Sequence, residues 1–145
     1  MNKRQVSVTQ IIHASSDTIF DLLADPRKHN LIDGSGTVQA PQTGAPDRLS
    51  LGARFGMDMK RGLPYKVHNQ VVEFEEGRLI AWQHSGGHRW RWRLEPVGEH
   101  TTRVTETFDW STAKGAALFP LFRFPAKNKI SMEKTLERLA ALIER

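Results

Sequence analysis

The chain has no cysteine, which removes disulfides, thiolate metal sites and a cysteine nucleophile from consideration. No apolar run approaches the ~20 residues of a membrane span, and the opening MNKRQVSV lacks the long apolar core of a signal peptide. The expectation is a cytoplasmic protein without a membrane span. A glycine-rich phosphate loop is also missing, because Gly34 and Gly36 precede a strand instead of linking a strand to a helix. No nucleophile elbow supports Ser-His-Asp chemistry, and His68, His84 and His88 match no metal-ligand spacing. No cofactor and no metal are therefore expected. Repeats, low-complexity tracts and linkers are absent too, so residues 1–145 read as one domain.

The net charge is +5 and the sequence pI about 9.9, but the cations are not clustered. They are spread over the N-terminus, the Lys60-Arg61 turn, the stretch around Arg89 to Arg93 and the last helix, interleaved with acids. That distribution makes a solvated basic surface and speaks against a nucleic-acid partner.

What the chain does have is a dense aromatic hairpin. Arg78 to Pro96 (RLIAWQHSGGHRWRWRLEP) holds three of the four tryptophans, with two β-prone runs around Gly86-Gly87. An even loop there pairs Leu79 with Leu94, Ala81 with Trp92 and Gln83 with Trp90. Ile80, Trp82 and His84 then share an outer face with Arg89, Arg91 and Arg93. The large-against-small match of Ala81 with Trp92 favours this register, as does the hydration of three arginines. A three-residue loop reverses the first strand and brings Trp82 and His84 round to Trp90 and Trp92. An even loop at Glu76-Gly77 sets Phe74 against Leu79 and Val72 against Ala81, giving one apolar face with Trp90, Trp92 and Leu94.

Elsewhere, Gln5 to Ile12 alternates as a strand, and Ser15 or Ser16 caps a short helix that Asp25-Pro26 ends. Arg27 to Ile32 forms a second short helix. Short strands follow at Thr37 to Ala40 and Ala53 to Met59, the turn KRGLP leads into a long strand from Tyr65 to Glu75, and Thr102 to Ser111 is the last strand. Setting Glu95 opposite Arg103 as a cross-strand ion pair places Leu94 beside Val104, Trp92 beside Glu106, Trp90 beside Phe108 and His88 beside Trp110. The apolar run GAALFPLFRFP, broken by Pro120 and Pro125, reads as a packed connector or lid. Ala126 to Arg145 is a long amphipathic helix, with Met132, Leu136, Leu139 and Ile143 on one stripe and Ile130, Ala140 and Leu142 widening it.

VSVTQIIHASSDTIFDLLADPRKH resembles the opening of the polyketide cyclase/dehydrase branch of the START-like (Bet v 1-like, SRPBCC) superfamily. TTRVTETFDWS followed by a long helix is similar to its ending. The likeness implies an α+β helix-grip fold: a curved antiparallel sheet of about seven strands wrapped around a long C-terminal helix, with two short helices after the first strand and a cavity for an apolar ligand. One departure is His29-Asn30-Leu31, where many relatives carry an aromatic.

The candidate ligand walls are Trp90, Trp92, Phe108 and Trp110, with Met57, Met59 and Tyr65 as neighbours, because rigid rings and adaptable methionines suit a flat apolar molecule. Gln83 and Glu106 are expected to orient polar groups, with His68 or Tyr65 assisting. The function expected is binding of a small hydrophobic aromatic, polyketide-like or lipid-like molecule. The enzymatic alternative is a cyclase or aromatase in which Glu106 and a histidine such as His68 move protons. A third reading uses an outer Trp82 face, with Arg91 against the ring, as a homodimer or other protein contact.

Overall fold

The computed structural model describes residues 4–113 and 124–144. Seven strands form one antiparallel curved sheet in the order β1-β7-β6-β5-β4-β3-β2. These strands are β1 (Gln5–Ile12), β2 (Val38–Pro41), β3 (Arg54–Arg61), β4 (Leu63–Glu75), β5 (Leu79–His84), β6 (Arg89–Gly98) and β7 (Thr101–Asp109). From β3 to β7 each neighbour in the meander is joined by a short turn, residues 42–53 link β2 to β3, and β1 closes the far edge against β7. Two short helices, α1 (Ser16–Leu23) and α2 (His29–Ile32), follow β1, and the long helix α3 (Phe124–Ile143) ends the chain. Together they make the helix-grip architecture.

Local chemistry accounts for the first half. The Ser15 hydroxyl accepts from the Thr18 amide and caps α1, and α1 buries Ile19, Phe20 and Leu23 on one side. Asp25 then accepts from the Arg27 amide and guanidinium, which starts a single 3-10 turn at Pro26. The helix α3 lays Met132, Leu136, Leu139 and Ala140 against the sheet, whereas Ile130, expected on that stripe, is 58% exposed. The middle and the C-terminal end of α3 are tied down. The His13 amide donates to Glu144 at 2.8 Å, the Gly34 amide to the Thr135 hydroxyl at 2.8 Å, and Arg138 to the Asp33 carbonyl at 2.7 Å. The helix begins at Phe124, two residues earlier than its pattern predicts; the rest of the expected connector or lid, residues 115–123, lies outside the described residues.

The β6/β7 register is the expected one: Glu95 faces Arg103, Leu94 Val104, Trp92 Glu106 and Trp90 Phe108. The two hairpins flanking β5 are not. His84 closes on His88 around a three-residue loop, with the His84 amide donating to the His88 carbonyl at 2.9 Å and the Gly87 amide to the His84 carbonyl at 2.8 Å. Gly87 supplies the left-handed φ of 100° that this loop requires. Trp82 consequently pairs with Trp90, Ile80 with Trp92 and Ala81 with Arg91. Trp82 and His84 therefore face inward, and Leu79, Ala81 and Gln83 face outward. The other turn also has three loop residues, since Glu75 pairs with Leu79, Phe74 with Ile80 and Glu73 with Ala81. A register shift between Val71 and Glu73 turns both Val71 and Phe74 inward and sends Val72 to the outer face. The predicted outer Trp82 face does not exist, so a homodimer or interaction surface loses its anchor there.

Gly34 is the tightest contact between α3 and the loop after α2. A β-carbon there would lie 2.5 Å from the Ser131 carbonyl oxygen and 2.6 Å from the Thr135 nitrogen. Backbone atoms cannot yield as a flexible side chain would, so the helix itself would have to move. Gly34→Ala is expected to destabilise the fold by about 1–3 kcal/mol, read as a lowered urea midpoint with an unchanged slope.

Candidate functional site

A cavity of about 340 Å³ lies between the inner face of the sheet and α3. Its floor comes from the middle of β6 and β7, where Trp90, Trp92, Glu106 and Phe108 alternate inward. One wall is Trp82 and His84 from β5, with Val67 and Asn69 from β4 and Phe55, Met57 and Met59 from β3 beside it. Asn128, Ser131, Met132 and Thr135 of α3 cover the other side, and the exposed Ser35, Arg61 and Tyr65 mark the mouth.

The rings form two edge-and-face groups, one around Trp82 and one around Phe108. Trp90 meets Phe108 edge-on at 4.8 Å, and Phe55 meets Trp82 edge-on at 5.7 Å. His29 stacks on Trp82 at 4.9 Å. It lies in the His29-Asn30-Leu31 segment where the family resemblance leads one to expect an aromatic, and its imidazole fills that role. Its Nε2–H donates to the Leu23 carbonyl at 2.9 Å, which fixes the tautomer, and burial holds its pKa below the usual histidine range. His84 stacks on His88 at 4.5 Å. The His84 Nδ1 accepts from the Gly86 amide at 3.0 Å, and burial, then the charge of His68, lowers its pKa. Burial, then His84, pushes His88 down to about 4. All three lining histidines are thus neutral near pH 7, and they act as polarisable rings more than as cations.

Glu106 is the polar group at the floor. It is 5% exposed, faces Trp92 on one side and Val8 on the other, and its Oε1 has no hydrogen-bond partner among the described residues. Burial, then the charge of Asp33, raises its pKa well above the normal glutamate value, which favours the neutral carboxyl over the carboxylate. The Trp92 indole Nε1 is likewise buried without a partner. Asp33 itself is occupied at the rim, accepting from the Ser35 amide and hydroxyl and the Val38 amide.

Of the residues proposed from sequence, Met57, Met59, Tyr65, Trp90, Trp92, Glu106 and Phe108 line this cavity. Trp110 shares their face but packs behind the wall on Phe108, with ring centres 5.7 Å apart. His68 and Gln83 do not reach the cavity. His68 pairs with Gly56, one residue out of phase with inward Met57 and Val67, and Gln83 pairs with Arg89, accepting from its guanidinium at 3.1 Å on the outer face. Both line a groove there with Gln42, Arg54 and Gln70. The contributions of His29, Phe55 and Trp82 were missed, and for Trp82 the signal was the second glycine of Gly86-Gly87, which an odd loop uses. Among the described residues no group of three or more His, Asp or Glu is placed to hold a metal ion, and no helix is long and apolar enough to cross a membrane.

Comparison with known proteins agrees with this architecture. The protein MLL2253 from Mesorhizobium loti superposes with a TM-score of 0.73 at 14% identity, over 98% of each chain. The ginseng major latex-like protein 151 from Panax ginseng superposes with a TM-score of 0.69 at 12% identity, over 94% of this chain and 95% of that one. At such identities the likeness is one of fold. In sequence, the uncharacterized protein Rv0088 of Mycobacterium tuberculosis is 37% identical over 141 residues, or 94% of this chain. The chain spans 62% of that relative's length. The family described as "Polyketide cyclase / dehydrase and lipid transport" matches residues 3–144, which together with the Bet v 1-like fold supports a ligand-binding role in general, and the chain belongs to that family.

Proposed function

We propose that residues 1–145 act as one ligand-binding unit that takes a single small hydrophobic molecule, flat and aromatic or lipid-like, into the cavity between the sheet and α3. The observation that carries this reading is the cavity itself. Its volume of about 340 Å³ is at the low end for small-molecule sites, which suits one compact molecule of a few rings. Rigid rings lose little conformational freedom on binding and offer flat faces, and Met57, Met59 and Met132 adapt to irregular outlines. Tyr65 and Arg61 at the mouth are placed to meet whatever part of the ligand stays in water.

A neutral solvatochromic naphthalene ketone such as prodan is expected to bind with one-to-one stoichiometry, with a blue-shifted emission and quenched tryptophan fluorescence. Met59→Trp, which fills the mouth end from a half-buried position, is expected to weaken that binding at least about tenfold while leaving the circular dichroism spectrum unchanged. Saturable binding that Met59→Trp leaves intact would place the dye elsewhere and end this reading.

A second reading, proton transfer of the cyclase or aromatase kind, is favoured by one observation: a buried carboxyl without a hydrogen-bond partner among the described residues, at the floor of an apolar cavity, where burial favours its neutral form. Such a group gives its proton to a ligand carbonyl oxygen and takes one back from the adjacent carbon, provided the ligand is held in one folded shape. If Glu106 works so, the protein accelerates deuterium exchange at the methyl group of bound 2-acetylnaphthalene, seen by proton NMR, and Glu106→Gln abolishes the acceleration. No acceleration by the parent protein leaves binding as the whole function.

The protonation state is checked separately. A carboxyl whose folded pKa is raised contributes stability that is fully present below the unfolded value of about 4.3 and is lost as pH rises through the folded value. Glu106→Gln has no such loss, so its stability relative to the parent is expected to increase steadily from about pH 4.5 upward. A difference between the two proteins that does not vary with pH would mean that Glu106 titrates normally.

A further inference from the structure

Trp92 and Glu106 are direct partners across β6 and β7, both line the cavity, and each buries a polar atom with no partner among the described residues, the indole Nε1 and the carboxyl Oε1. We propose that this pair reads the head group of the ligand and selects an uncharged oxygen, either a ketone carbonyl or a hydroxyl, while refusing carboxylates and phosphates. The inference rests on the binding reading above and assigns the polar end of that ligand.

Hydrogen-bond inventory leads to this class. The indole Nε1 can only donate, and a protonated carboxyl donates through one oxygen and accepts through the other. A ketone oxygen has two lone pairs and takes both donors. A hydroxyl accepts from the indole and donates to Oε1. An unsatisfied buried donor costs more than an exposed one, so a ligand that supplies the missing partner gains over an isostere that does not. Anions meet the reverse situation. Arg61 is the cation among the described lining residues and stands exposed at the mouth. At the floor is the Glu106 carboxyl, and the Asp33 side chain at the rim already opposes a negative charge there. The histidines that line the cavity, His29, His84 and His88, are shifted away from their cationic forms. An anionic head at the floor would thus be desolvated without a counter-charge, and a hydrocarbon would leave both polar atoms as they are.

The test uses three ligands with the same naphthalene skeleton and nearly the same shape: 2-acetylnaphthalene, 2-ethylnaphthalene and 2-naphthoate, each titrated calorimetrically and by displacement of prodan. The ketone is expected to bind at least about tenfold more tightly than either of the others. Glu106→Leu should bring the ketone down to the hydrocarbon, and Trp92→Phe should narrow the gap. Glu106→Gln, whose amide still donates, should keep the preference over the hydrocarbon, which guards against a variant that merely fails to fold. Equal affinity for 2-ethylnaphthalene would mean that water satisfies the pair, and equal affinity for 2-naphthoate would mean that charge is tolerated; either result overturns the selectivity while the cavity remains a binding site. If none of the three displaces prodan, and prodan does not bind, the binding reading itself falls and this inference with it.

Discussion

The ion pair between Glu73 and Arg91 fixes which side of the sheet β5 shows to the core. Glu73 on β4 and Arg91 on β6 flank Ala81 on β5, and their side chains meet over it at 2.7 Å. Because alanine has no bulk beyond its β-carbon, the pair closes across the intervening strand and buries Ala81 completely. The contact continues outward, Arg91 reaching Asp109 at 3.5 Å and Asp109 accepting from Gln5 at 2.9 Å, so one polar line crosses five strands. The Arg91 guanidinium holds the Glu73 carboxyl below its usual range. A partly exposed ion pair of this kind is worth about 1 kcal/mol at most, a small share of the stability. Its effect is on register: only one phase of β5 puts its alanine under the pair and its Ile80 and Trp82 in the core, and a slip of one residue inverts every side chain of the strand.

That constraint explains which parts of the architecture were legible in the sequence. Glu95 against Arg103 was enough to register β6 on β7, and the structure has that pair in contact at 2.6 Å. The caps, the proline stop after α1 and the four-three-four spacing on α3 were equally readable, because each is a local signal. Two things hid β5. Both loops around it were read as even and both have three residues, so the errors cancelled: β4 kept Phe74 inward and β6 kept Trp90 and Trp92 inward, while the strand between them was inverted. Ala81 completed the misreading, since its smallness suits a tryptophan opposite as well as it suits an ion pair overhead. The shift between Val71 and Glu73, which turns Val72 outward, depends on packing across several strands and leaves no local mark.

Inverting β5 changes the chemistry of the site more than its outline. With Trp82 and His84 outside, the cavity would have had two tryptophans on its floor and Gln83 as a polar guide. With them inside, Trp82 becomes the surface on which His29 stacks, and His84 stacks with His88 above Phe108. The lining becomes more aromatic and loses Gln83, and the polar side chains left at the floor are Trp92 and Glu106. On the proposed binding reading, the same three-residue loop that flips Trp82 inward leaves the polar end of the ligand to one cross-strand pair.

Glu106 is best understood by asking what else that position would accept. Its neighbours across the strands are Val8 and Trp92, and Val104 and Phe108 precede and follow it on the inner face, both fully buried. Leucine there would bury a side chain of similar size with no desolvation cost, whereas glutamate pays that cost and still leaves an oxygen without a partner among the described residues. Architecture alone gives no reason for a carboxyl at this point, since no arginine, histidine or amide of the described residues turns towards it to form a structural bond. A cost that the fold does not require is the mark of a site whose partner arrives from outside, and the unpartnered indole directly opposite narrows that partner to a molecule able to engage both groups at once.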